Sequence, residues 1–77
     1  MIKTKIGIKI KEIRIAKGFT QEEVAWKADI DRTFMNHVEN CRRNISVETL
    51  YKIVCRGLEM SLREFFKSAL FSIDKKP

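Results

Sequence analysis

The sequence predicts an all-α domain of five short helices, and three observations predict it. Apolar residues recur at spacings of three and four through most of the chain. Helix-start signals, a hydroxyl residue followed three positions later by glutamate, stand at Thr20 with Glu23 and at Ser61 with Glu64. Gly18 and Gly57 fall where the first and fourth helices should stop. With 77 residues the expectation is a single domain, with no room for a separate ligand-binding or oligomerisation domain.

Met1 to Lys5 reads as a frayed, basic arm suited to weak phosphate contacts at most. From Ile6 two periods compete: Ile6, Ile8 and Ile10 alternate as in a strand, whereas Ile6, Ile10 and Ile13 keep helical spacing. Helix is preferred, because Ala16-Lys17-Gly18 has the cation and the glycine of a helix C-terminus. Thr20 opens the second helix in a capping box with Glu23, and Val24 and Ala28, four apart, give it a buried face. Ala25 is small enough to let a crossing helix approach. Asp29 stands at a turn and is among the few L-residues that visit the left-handed region cheaply, and Ile30 plugs the corner. The third helix starts at the N-cap Asp31, with Met35 and Val38 facing inward. After a basic loop, Cys41-Arg42-Arg43-Asn44, Ser46 caps a fourth helix expected to bury Val47, Leu50, Ile53 and Val54 and to stop at Gly57. Ser61 opens the fifth, expected through about Phe71, and Lys75, Lys76 and Pro77 form a loose tail.

The second and third of these helices form a helix-turn-helix, whose third helix leaves Arg32, Thr33, Asn36 and His37 facing out. In such a motif that helix lies in the DNA major groove with its first residues at base edges. Arg32 can grip guanine with two N–H donors, Asn36 can pair with adenine, and Thr33 or Phe34 can touch a thymine methyl. Arg42, Arg43 and Asn44 lie where the loop would cross the DNA backbone. A solvated surface would also show polar residues at these positions. What favours DNA is their coincidence with the capped helix, the small residue and the turn.

Composition agrees. A net charge of +6 suits a polyanionic partner, since each phosphate neutralised by Lys or Arg releases counterions. Cys41 and Cys55 are too few for a disulfide framework or a zinc site, and both read as reduced thiols in a cytoplasmic protein. No apolar run reaches the length of a membrane span, and no signal peptide is expected. An enzyme is not expected, because no paired carboxylates, Cys/His arrangement or phosphate-cradling glycines occur; no metal and no cofactor is expected either. Leu58, Met60, Leu62, Phe65, Phe66, Leu70 and Phe71 crowd one segment, more than so small a core can bury. Adjacent Phe65 and Phe66 cannot face the same way, so one is spare for a two-fold homodimer contact.

The segments KGFTQEEVA, IDRTF, HVENCRRNIS and LEMSLREFF, spanning about Ile10 to Phe66, resemble the phage repressor and Cro-like helix-turn-helix family. Within it the chain looks most like the controller proteins of restriction-modification systems. The resemblance implies a homodimer on a palindromic double-stranded operator, activating and repressing a restriction-modification operon, with RNA polymerase as a further partner. It implies that Gln21 holds a phosphate, with Thr20, Asn40, Arg42, Arg43 and Asn44 also on the backbone. Arg32 and Thr33 would read bases, with Phe34, Asn36 and His37 on the groove-facing side. Arg14 and Glu39 would join the first helix to the third as an ion pair, and Met60, Leu62, Phe65 and Phe66 would form the dimer interface. Phe34 replaces a tyrosine of several controllers, Cys41 replaces a common glycine, which would let the loop take another path, and His37 is unusual in a groove. A phage-type repressor, an antitoxin, or a protein-interaction module that does not read DNA are the competing readings.

Overall fold

The isoleucine-rich segment is helical from Ile2 to Ala16 (α1) in the computed structural model, which describes residues 2–67. Helical spacing therefore wins over strand alternation: Ile10 is fully buried and Ile6 and Ile13 pack beside it, while Ile8 and Ile15 lie outside. The basic arm expected over Met1 to Lys5 is instead, from Ile2 onward, the first turn of α1. Once a helix is anchored at Ile6 and Ile10, each residue added at its end gains a backbone hydrogen bond for little further ordering, so it propagates outward. Gly18, with φ of 76°, ends the element as expected.

Helices α2 (Gln21–Ala28) and α3 (Arg32–Glu39) start on the predicted caps. The Thr20 hydroxyl accepts from the Glu23 N–H and the Glu23 carboxylate accepts from the Thr20 N–H, while Asp31 accepts from the Thr33 N–H. Each such cap stabilises by about 1 kcal/mol. Between them Asp29 adopts the left-handed conformation, φ 60° and ψ 47°, and its N–H donates back to Ala25 and Trp26. Val24, Ala25, Ala28, Met35 and Val38 are buried where the two helices face the core.

Helix α4 is short (Val47–Tyr51) and continues as a π-helical segment, Lys52–Gly57, before α5 (Leu62–Phe66). Leu50, Ile53 and Val54 are buried as expected, but Val47 is 78 % exposed. Periodicity gives the direction a side chain points, not whether anything stands opposite. Among the described residues no element other than the π segment that continues it makes more than marginal contact with α4, and its first turn is left uncovered. Gly57 does close the segment, though not through a left-handed turn. A Cβ there would lie 2.7 Å from Val24 Cγ1, so glycine is required for close approach to α2, and the left-handed residue is Glu59, φ 58°. Of the fifth helix expected through about Phe71, Leu62–Phe66 is observed; Leu70, Phe71 and the tail lie outside the described residues.

Ile10, Val24, Met35, Ile53, Val54, Leu58 and Phe65 make the fully enclosed centre. Burial of one such side chain stabilises by roughly 1.5–3 kcal/mol, so this cluster dominates the packing of α1, α2, α3, the π segment and α5. Gly7 sets where α3 sits: a Cβ there would overlap the Val38 carbonyl oxygen, so the backbone of α1 at Gly7 lies directly against that of α3.

Candidate nucleic-acid interface

At the N-cap, one Asp31 carboxylate oxygen accepts from the Thr33 N–H, which fixes the first turn of α3, and Arg32 and Thr33 are exposed at its start. Beside them an open cleft of about 330 Å3 is lined by Gln21, Arg32, Thr33 and Asn36, so the beginning of α2 and the outer face of α3 share one surface. The sequence placed Arg32, Thr33 and Asn36 on this face, and the fold brings Gln21 to them from the preceding helix.

The cleft rests on a buried ion pair. Arg14 Nε lies 2.6 Å from Glu39 Oε2 and its Nη2 lies 3.0 Å from Oε1, while Nη1 donates to the Phe19 carbonyl at 2.8 Å. Gln21 Nε2 donates to the same Glu39 Oε1 at 2.9 Å, and Asn36 Nδ2 donates to Gln21 Oε1 at 3.3 Å. Asn40 Nδ2 donates to both the Asn36 carbonyl oxygen and Asn36 Oδ1, at 3.0 and 3.1 Å. A continuous polar chain thus runs from α1 through the core-side face of α3 to the groove side. The family resemblance implies the ion pair but not this extension, and no local pattern links residues 15 and 18 positions apart.

The remaining expected residues fall around this centre. Thr20 is exposed and serves its cap. Phe34 and His37 are half-buried, and Phe34 packs against the core with the Arg43 guanidinium 5.7 Å above its ring. That contact draws the Arg43 side chain back toward α3. Arg42, Arg43 and Asn44 are exposed together beyond the end of α3. Cys41 takes the left-handed conformation, φ 61°, and the Arg42 N–H donates to the His37 carbonyl, so the loop still turns as a glycine would let it. Among the α5 residues, Phe65 is fully enclosed, Met60 and Leu62 are half-buried against the core, and Phe66 is 41 % exposed with its ring edge-on to Phe65 at 5.2 Å.

A second tie fixes α2 to the chain before α5. Lys27 Nζ donates to Glu59 Oε2 at 2.8 Å and lies 4.1 Å over the Phe19 ring. The Lys27 hydrogen bond, followed by its charge, holds the Glu59 carboxyl below its ordinary value, with Lys17 adding to the effect. Gly7 is a structural determinant that sequence reading passed over. A glycine inside an isoleucine-rich helical pattern was the available signal. Among the described residues no group of His, Cys, Asp and Glu is arranged to hold a metal ion, and no helix is long and apolar enough to cross a membrane.

Comparison with known proteins matches these features to a family. The helix-turn-helix family model matches residues 10–65. The control protein C.MunI of Mycoplasma sp is 41% identical over 84% of this chain and 88% of its own length. The restriction-modification controller protein C.Esp1396I superposes with a TM-score of 0.83 at 38% identity, covering 95% of this chain and 93% of that one. The same controller bound to a 25 base pair operator site superposes at 0.86 with 37% identity, covering 99% and 97%. From the capped α2, the left-handed turn at Asp29 and the exposed start of α3 to these likenesses, the chain belongs to the helix-turn-helix family, among its restriction-modification controller proteins.

Proposed function

We propose that the protein is a homodimeric, operator-binding transcriptional regulator of a restriction-modification operon, acting without a cofactor. The observation that carries this reading is the exposed pair Arg32 and Thr33 at the start of α3, set beside the cleft to which Gln21 contributes. Arg32 supplies two N–H donors for guanine and Thr33 a hydroxyl and a methyl, with Phe34 and His37 flanking them. Thr20, Gln21, Asn40, Arg42, Arg43 and Asn44 hold the DNA backbone on either side. A short helix reads few base pairs, so two copies joined through Phe66, Met60 and Leu62 read a palindrome, their recognition helices about 34 Å apart. The relative C.Esp1396I, as a tetramer in complex with its 35 base pair operator, supports the same arrangement here.

Activation requires a further contact, to RNA polymerase. Glu22 and Trp26 stand one turn apart on the exposed face of α2, Trp26 being 82 % exposed, with exposed Asp29 just beyond. Glu23 is engaged by its own cap, which leaves Glu22 and Asp29 as the acidic groups for that contact.

Selection of bound duplexes from a random pool, followed by affinity against salt, tests the proposal. A two-fold symmetric site is expected, with Arg32→Ala relaxing preference at one base pair and Arg43→Ala weakening all sequences alike and flattening the salt slope. No enriched site, with only steeply salt-dependent binding, overturns it.

A further inference from the structure

Asn36 sits on the recognition helix, yet its polar atoms already serve neighbours within the protein. Its Nδ2 donates to Gln21 and its Oδ1 accepts from Asn40. The polarity of this chain is dictated from the buried end. Glu39, 4 % exposed and held by Arg14, can only accept as a carboxylate. Gln21 must therefore turn its amide nitrogen toward Glu39 and its oxygen toward Asn36. Asn36 must then turn its nitrogen toward Gln21 and its oxygen toward Asn40. Three side-chain amides are ordered head to tail by one buried charge.

Two-bond pairing with adenine uses an asparagine N–H and oxygen on the same edge. In Asn36 both ends of the amide are engaged, one by a residue of α2 and one by the cap of α3. The same engagement has a positive consequence for its partners. Gln21 and Asn36 each direct the amide nitrogen inward along the chain, toward Glu39 and Gln21, and each nitrogen keeps a second N–H beside the cleft that the two residues line with Arg32 and Thr33. A cleft furnished with donors matches the acceptor-only oxygens of a DNA phosphate.

We infer that Asn36 is a positioning residue for the DNA backbone, and not a reader of bases: tied at its own oxygen to Asn40, it holds the Gln21 side-chain oxygen and so keeps the Gln21 amide nitrogen in the orientation that offers its second N–H to phosphate. The inference rests on α3 being the recognition helix. It separates the outward face of α3 into a reading end, Arg32 and Thr33, and a gripping middle.

The test measures affinity for the site selected by the wild-type protein, for its single-base variants and for random duplex, using Asn36→Ala, Gln21→Ala, the double variant and Arg32→Ala. Asn36→Ala is expected to lose about tenfold on every duplex alike, with base preferences unchanged. The double variant is expected to bind no worse than Gln21→Ala alone, because the two residues act as one unit. A purely space-filling role would instead give independent, additive losses. Relaxed preference at one base pair in Asn36→Ala, additive losses, or no loss overturns the positioning role. If the wild-type protein selects no site, or Arg32→Ala leaves preferences intact, the recognition-helix reading itself fails and the positioning role falls with it. If Arg32→Ala relaxes preference and Asn36→Ala does so at another base pair, only the positioning role fails.

Discussion

Arg14 on α1 and Glu39 on α3 meet in a two-point ion pair, 2.6 and 3.0 Å, although they lie 25 residues apart in the chain. The Glu39 side chain is almost wholly enclosed and that of Arg14 nearly so, with Arg14 donating further to the Phe19 carbonyl and Glu39 accepting further from Gln21. Removing one partner strands a buried charge. Glu39→Ala should therefore lower stability by about 3–5 kcal/mol, whereas Arg14→Met with Glu39→Leu should lose much less. Urea unfolding of the three proteins checks this, and equal losses would show that the pair's packing, not its charge, matters.

Gly7→Ala reverses the usual sign of a glycine substitution in a helix. Helical propensity alone favours alanine by about 1 kcal/mol. Here the new Cβ would overlap the Val38 carbonyl oxygen, a backbone atom that cannot swing aside. Overpacking of that kind costs about 1–3 kcal/mol and should win. The melting temperature is expected to fall, and a rise would mean that α1 and α3 part without cost.

Phe65 and Phe66 should separate stability from assembly. Phe65 is enclosed by its own chain, and truncation to alanine should cost about 3–5 kcal/mol. Phe66, 41 % exposed, should cost far less in the monomer while shifting a dimer toward monomer. Sedimentation velocity at low micromolar concentration reads the second effect. An unchanged coefficient for Phe66→Ala would remove α5 from the interface.

The Lys27 and Glu59 tie gives one arm of the acid stability profile. Because Lys27 holds the folded-state Glu59 carboxyl below its ordinary value of 4.5, the tie contributes fully above that pH. It is lost as pH falls below 4.5 and Glu59 takes up its proton. Lys27→Met should flatten the decline in melting temperature on that side, and added salt should do the same in the wild-type protein. A decline of equal steepness in both proteins would assign it to other carboxylates.

The local features were legible from the residues alone. The caps at Thr20, Asp31, Ser46 and Ser61 and the left-handed turns at Gly18 and Asp29 involve groups within four positions of one another, so side-chain chemistry determines them before any packing. The buried set Val24, Ala28, Met35 and Val38 followed from periodicity for the same reason.

Other features depend on what stands opposite, and only the tertiary structure decided them. Val47 matches the helical pattern yet finds no element across from it, and Gly57 is small because Val24 arrives there, not because the chain must turn. The polar chain from Glu39 through Gln21 to Asn36 joins α2 to α3, and its direction is imposed by a charge that is buried only once the helices have packed. The sequence by itself determined the helices, the turn between α2 and α3, and the residues offered to a groove, because those arise from interactions along the backbone. Which of the offered residues remain open and which are engaged by their neighbours was decided by the tertiary structure, since hydrogen bonds across helices exist only when distant segments are held at bonding distance.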